Sequence, residues 1–328
     1  MIRLLRPLRG GLRRSARRCR FLSDQPHLAW DFDGAVNWFP GHMAKGMREM
    51  EERIRDVDAI VEVLDARIPL SSRSHQLDHL LSRKNRLIVF NKADLADKAL
   101  EDATAQHSLA AHFGGGDVSV LHTVCKGRQR RNVKKIIPTL AKGINLKFSS
   151  LGGMILILGV PNVGKSTLIN AIRHAGRHDI RKSKSRSRSK KTKTMIVGAE
   201  PGVTKNVSKV QVWSDPTMFM IDSPGILVPR IEDPETALKL ALTGGIRDKI
   251  IGEDIICEYL LYRLNLQHDR TGLPYPEVLG LDGPTKSLSD VLQVLGSDSV
   301  GQMNACRKLL GLYRDGSLGR FCLDDLEF

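Results

Sequence analysis

Short apolar runs and amphipathic stretches alternate up to about residue 230, and beyond it only the amphipathic pattern continues. The apolar runs are Ala59–Leu64 (AIVEVL), Arg86–Phe90 (RLIVF), Val118–His122, Met154–Leu158, Val207–Trp213 and Thr217–Ile221. Runs this short, rich in Val, Ile and Leu and bounded by polar segments, predict strands, most of them covered on both faces. Between them, Met43, Met47, Met50 and Ile54 recur at helical spacing, predicting a helix from near Ala44; Arg131–Lys142 predicts another, and a third begins at Thr167–Ala171. After Arg230, Pro234–Leu242, Glu253–Leu264, Thr285–Leu295 and Val300–Tyr313 predict helices separated by Gly/Pro breaks, and the acidic end Phe321–Phe328 is expected to fray. The expected fold is α/β: a doubly wound sheet of about six mostly parallel strands, followed by a small all-α domain without a catalytic constellation.

The fourth run leads into the most informative stretch. Gly159-Val-Pro-Asn-Val-Gly164-Lys165-Ser166 is G-x-x-x-x-G-K-[ST] after a strand and before a helix, the context a phosphate loop requires. Its glycines let backbone N–H groups face a phosphate chain, and the helix N-terminus adds a favourable dipole. Lys165 would reach the β- and γ-phosphates and the Ser166 hydroxyl would hold Mg²⁺. Asn162, Val163, Gly164 and Thr167 complete the phosphate-binding set.

The second run passes straight into Asn91-Lys92-Ala93-Asp94, an N-K-x-D at a strand's C-terminal end. One carboxylate there can accept from both N1–H and the 2-amino group of guanine. Adenine lacks that donor pair and would leave the charge unpaired. In this reading Asp94 reads the base, Asn91 braces the loop and the Lys92 stem lies over the ring; the bland reading is a polar turn. Thr123-Val124-Cys125 follows the third run, either as a loop whose backbone N–H meets guanine O6 or as a plain strand-to-helix connection. Glu200-Pro-Gly-Val-Thr204 precedes the fifth run and Asp222-Ser-Pro-Gly225 follows the sixth. Thr204 is the candidate to close over Mg²⁺ and the γ-phosphate. Asp222 would hold Mg²⁺ through water, and the Gly225 N–H would sense the γ-phosphate and release it after hydrolysis.

Charge adds two appendages to this picture. The 328 residues carry a formal net charge of +15, concentrated in Met1–Arg20 and Arg177–Lys193, so the remainder is near neutral. Met1–Arg20 is Arg-rich and acid-free, with Leu4, Leu5, Leu8 and Leu12 on one helical face. That is the composition of a mitochondrial transit peptide, with a basic nucleic-acid-binding arm as the rival reading. Arg177–Lys193 alternates Ser with Arg and Lys, is too polar to pack, and points to RNA backbone or to nuclear import. No apolar run approaches the length of a membrane-spanning helix. The five cysteines show no C-x-x-C spacing, which fits a reducing compartment and gives neither a zinc site nor a disulfide framework.

In chain order, Trp38-Phe-Pro-Gly-His-Met-Ala-Lys45, D-A-R-I-P at Asp65–Pro69, N-K-x-D, G-x-P-N-V-G-K-S, P-G-V-T and D-x-P-G resemble the circularly permuted GTPases of ribosome assembly. The likeness is to the bacterial ribosome biogenesis GTPase A family and its mitochondrial branch, over about residues 37–230 with a similar helical tail behind. It implies a transit peptide at 1–22, a permuted GTPase domain at 30–230 with a basic insertion at 177–193, and a helical domain at 231–328. It also implies GTP hydrolysis with Mg²⁺, a low intrinsic rate stimulated by the ribosome, and action on the mitochondrial large ribosomal subunit and its rRNA. A matrix location, with peripheral contact to the inner membrane, and a monomeric state are further expectations. Because permutation places Gly225 just before the helical domain, the GTP state is expected to set that domain's orientation.

Ile226 stands where ordinary small GTPases carry a water-positioning Gln. An apolar side chain cannot orient water, and the resemblance makes His42 the catalytic candidate. Asn162 resembles the residue that helps place K⁺ beside the phosphates in some GTPases, with loop stabilisation as the plainer reading. Competing functions are a nucleolar permuted GTPase, an RNA-binding scaffold with structural nucleotide, and a P-loop ATPase, the last disfavoured by Asn91–Asp94.

Overall fold

The computed structural model describes residues 51–73, 77–113, 118–127, 130–144, 152–176, 208–215, 217–223, 231, 233–296 and 299–326. The six expected strands form: β1 (Ala59–Asp65), β2 (Asn85–Asn91), β3 (Ser119–Thr123), β4 (Gly153–Leu158), β5 (Ser208–Ser214) and β6 (Thr217–Asp222). They make one sheet in the spatial order β3-β2-β1-β4-β6-β5. All neighbouring pairs are parallel except β5 and β6, an antiparallel hairpin with a register shift between Gln211 and Trp213. β1 is buried at every position, which explains its unbroken apolar character apart from Glu62 and Asp65. Both exceptions are paired with arginine inside the protein.

The order has a simple consequence. The first three strands lie side by side, the last three lie side by side, and the halves meet where β1 pairs with β4, from Ala59↔Ile155 to Glu62↔Leu158. The C-terminal ends of β1, β2, β4 and β6 therefore share one edge of the sheet, where ligands of open parallel sheets bind.

Besides a single helical turn at Asp78–Leu81, the described residues include the helices α1 (Ala103–His112), α2 (Ile136–Ala141), α3 (Lys165–Ala175), α4 (Pro234–Leu242), α5 (Asp248–Ile251), α6 (Glu253–Thr271), α7 (Tyr275–Leu279), α8 (Leu288–Leu295) and α9 (Ser299–Asp315). α1 was not legible from periodicity, because its Ala-rich sequence buries only Ala105 and Leu109 and shows little contrast between faces. The expected helix at Arg131–Lys142 starts later. Arg131 forms a bridge with Val124, Asn132 takes a left-handed conformation, and a 3-10 turn precedes Ile136. The helix expected at Glu253–Leu264 runs on to Thr271, burying Leu266, and stops at Gly272, whose φ of 67° no helix can continue through. α4 starts cleanly: the Asp233 carboxylate accepts from Glu235 N and Thr236 N, and Pro234 occupies the first turn.

Through residue 326, the end of the chain does not fray as expected. Leu323 is fully buried and its N–H donates to the Arg67 carbonyl at 2.8 Å. The Asp324 carboxylate accepts from Leu70 N at 2.8 Å and Ser71 N at 3.0 Å, and from the Ser71 hydroxyl. The acidic residues that suggested a solvated tail are thus partly consumed in capping a loop of the sheet domain. Among the described residues no helix is long and apolar enough to cross a membrane.

Candidate functional site: a phosphate loop braced by a base-reading loop

The phosphate loop joins β4 to α3 as its pattern requires. A Cβ on Gly159 would sit 2.2 Å from the Val63 carbonyl oxygen, and one on Gly164 would sit 2.4 Å from Asn91 Nδ2. Their φ values, 146° and 99°, lie in the region open to glycine. Asn162 is also left-handed, at φ 60°. Lys165 Nζ donates to the carbonyls of Gly159, at 3.0 Å, and Val160, at 2.9 Å, stretching across the loop it belongs to. Burial lowers its pKa to about 8, against a raising influence from Asp222. Ser166 Oγ donates to Asp222 Oδ2 at 2.7 Å. The Asp222 carboxyl is raised in pKa by burial, opposed by the Ser166 hydrogen bond and by Lys165. Its Oδ1 is buried without a hydrogen-bond partner. Ser223 ties the end of β6 to β4 by donating to the Ile157 carbonyl at 2.5 Å.

The N-K-x-D loop adjoins directly. Asn91 Nδ2 donates to the Val163 carbonyl at 2.8 Å, and Thr123 Oγ1 donates to Asn91 Oδ1 at 3.2 Å. One buried amide thus connects the phosphate loop, the N-K-x-D strand and the loop after β3. Asp94 is half-buried. Val124 is less available than expected: its N–H goes to the Arg131 carbonyl at 3.4 Å, leaving Cys125 and Lys126 as the backbone donors of that loop. Burial pushes the Cys125 thiol up to about 12, so it is a packed, unreactive group.

Two residues carry more than the sequence assigned to them. Asp65, the last residue of β1, accepts from Arg67 Nε at 2.9 Å and Nη2 at 2.8 Å, and from Lys92 Nζ at 2.8 Å. Despite burial, the two cations hold its carboxyl far below the usual carboxylate range. Lys92, at φ 58°, is therefore oriented by Asp65. The signal was a carboxylate closing an apolar strand, with an arginine two residues further on. Asn162 is likewise more than a loop residue, because its Nδ2 donates to the Gly244 carbonyl, beyond α4, at 2.8 Å. His42, Thr204, Gly225, the 177–193 insertion and the 1–22 segment lie outside the described residues.

A mostly parallel six-stranded sheet, a G-x-x-x-x-G-K-S loop at the end of its fourth strand and an N-K-x-D loop carried by an earlier strand define a circularly permuted P-loop GTPase. Residues 154–251 match the model of the 50S ribosome-binding GTPase family. The chain is 35% identical over 328 residues to Mitochondrial GTPase 1 of Aedes aegypti, covering 89% of this chain and 95% of that one. It is 38% identical over 314 residues to Mitochondrial ribosome-associated GTPase 1 of Xenopus tropicalis, covering 88% and 94%. The fold is similar to that of GNP-bound YlqF from T. maritima, with a TM-score of 0.53 at 22% identity over 85% of this chain and 97% of that one. The chain belongs to the mitochondrial ribosome-associated GTPase family, and its activity is GTP hydrolysis.

Proposed function

We propose that the chain is a GTP-driven switch acting on the large subunit of the mitochondrial ribosome, in its assembly and in the control of mitochondrial translation. The observation that carries the nucleotide part is the Asn91–Val163 hydrogen bond, which sets the base-reading and phosphate loops against each other as two ends of one nucleotide site. The ribosomal part is supported by relatives named as mitochondrial and ribosome-associated. In this reading Asp94 accepts from guanine, Lys92 lies along the base, and the loop after Thr123 supplies a backbone donor through Cys125. The N–H groups of Val163 to Thr167 surround the phosphates together with Lys165.

Ser166 and Asp222 fit Mg²⁺. The donor set is all oxygen, and the orphaned, buried Asp222 Oδ1 is an acceptor that a hard cation with its water shell would satisfy. When bound, Mg²⁺ neutralises charge on the phosphate oxygens. Thr204 and Gly225 are assigned to the Mg²⁺ and γ-phosphate side, and His42 to positioning the attacking water. K⁺ at Asn162 would be held by its Oδ1, the amide's only acceptor, while Nδ2 donates to the Gly244 carbonyl. The remaining assignments are a transit peptide at 1–22, a GTPase unit at 30–230 and a helical unit at 231–328. The protein is a monomer of the matrix with peripheral inner-membrane contact, and its hydrolysis is slow until the ribosome stimulates it.

Cosedimentation with mitochondrial large subunits, with phosphate release measured alongside, tests this function. Association that depends on the bound nucleotide and speeds hydrolysis is expected. Tight GTP binding without turnover, even with subunits present, would make the protein a scaffold instead. His42→Ala should abolish the stimulated rate and leave GTP affinity unchanged.

A further inference from the structure

The base-reading loop is walled on its outer side by the end of the chain. Gly316, in the turn after α9, lies so close to Leu95 that a Cβ there would be 2.8 Å from Leu95 Cδ2. Tyr313, in the last turn of α9, lies beneath the Arg67 guanidinium, 5.3 Å from ring centroid to Cζ. Leu323 N–H holds the Arg67 carbonyl, and the Asp324 carboxylate holds the N–H groups of Leu70 and Ser71. Cys322 and Leu326 pack on the cluster that contains Phe90, Ala93 and Ala96, residues within and on either side of Asn91–Asp94. Asp324 also pairs with Lys239 of α4 at 3.4 Å, so the same carboxylate grips both the helical unit and the loop after β1.

We propose that Tyr313–Asp324 is a positioning element of the base site. It fixes Arg67; Arg67 fixes the Asp65 carboxylate; Asp65 fixes Lys92. This route runs from the helical unit to the guanine end of the pocket, independently of the γ-phosphate loop at Gly225. The contact is built to separate. Tyr313 Oη and Arg67 Nη1 are both buried without hydrogen-bond partners, so this junction carries a desolvation cost that parting would relieve. By thermodynamic reciprocity, a macromolecule that draws Tyr313–Asp324 off the base loop lowers guanine-nucleotide affinity, and bound nucleotide opposes that partner. The helical unit thereby becomes a handle for nucleotide release.

The proposal rests on the guanine reading of Asp94, and the test separates the two. Fluorescent GDP titration and GTP turnover are measured on the full chain carrying Asp324→Ala, Asp324→Asn, Tyr313→Ala or Tyr313→Phe. Asp324→Ala and Tyr313→Ala should raise the GDP Kd and the GTP KM at least fivefold, with kcat within twofold and binding stoichiometry near one. Asp324→Asn should fall between wild type and Asp324→Ala, because it keeps one acceptor oxygen. Tyr313→Phe should leave the GDP Kd at or below the wild-type value, since it keeps the ring under Arg67 and removes only an unpartnered hydroxyl. Unchanged Kd and KM in both alanine variants would overturn the proposal. So would lost stoichiometry with unchanged Kd in the remaining active protein, which marks a merely structural role. If wild type itself fails to prefer guanosine over adenosine nucleotides, the base-site reading fails first.

Discussion

Lys165 shows how a single residue's environment sets a measurable response. Burial brings its pKa to about 8, whereas in the unfolded chain it sits near ~10.4. The folded value is the lower one, so the protonated amine costs stability below pH 8, and stability rises as pH climbs toward the unfolded value. Nucleotide binding has the opposite sense, because phosphate requires the ammonium. At pH 8.5 roughly three quarters of the free protein would lack this proton. Calorimetry in buffers of different ionisation heat should then report proton uptake on GDP binding near pH 8.5, and Lys165→Arg, whose side chain stays protonated, should remove it. Asp94 offers a second test at this scale. Asp94→Asn converts an acceptor for the guanine 2-amino group into a donor and should shift preference toward xanthosine nucleotides by at least tenfold in competitive titration. The sequence named both residues from spacing alone. It did not show that Asp65 orients Lys92, because that contact joins the end of β1 to the loop after β2.

At the scale of elements, β1 and β2 carry a pair that the hydrophobic pattern presents as a flaw. Glu62 interrupts an otherwise apolar strand, yet it is buried against Arg86, whose Nε lies 2.9 Å from its carboxylate. Burial raises the Glu62 pKa, and Arg86 opposes the rise. Arg86→Leu would strand the carboxylate and should cost about 3–5 kcal/mol in urea unfolding. Because the folded pKa would then lie further above the unfolded one, the loss should deepen as pH rises above the unfolded carboxylate value. The strands themselves were legible: all six apolar runs became strands at nearly the expected positions. Helix ends were less so. The Arg131–Lys142 helix lost its start to a bridge with Val124, and α6 gained about two turns, over which Leu266 is buried, before stopping at Gly272. Such outcomes depend on what lies opposite, which periodicity does not record.

For the whole molecule, GTPase and helical parts interlock at two ends of the proposed nucleotide site, through Asn162 and Gly244 and through Arg67 with Tyr313, Leu323 and Asp324. Saturating GDP should therefore raise one cooperative thermal transition by about 5 °C at a hundredfold excess over Kd, and adenosine nucleotides should not. Two resolved transitions, only one of them moved by GDP, would show that the parts melt independently. The sequence by itself determined the class of fold, the phosphate loop and the N-K-x-D motif. These are short, local patterns in which few residue types satisfy the backbone conformation and the donor set. It also carried the permuted order, since that is chain order and nothing else. Only the tertiary structure decided that the acidic C-terminus folds back onto the loop after β1 and that the phosphate-loop asparagine reaches a carbonyl beyond α4. Those contacts join residues 82 and 254 positions apart. The groups they hold, the Gly244 carbonyl and the Leu70 and Ser71 N–H groups, are backbone groups that every sequence offers everywhere, so the side-chain pattern could not single them out.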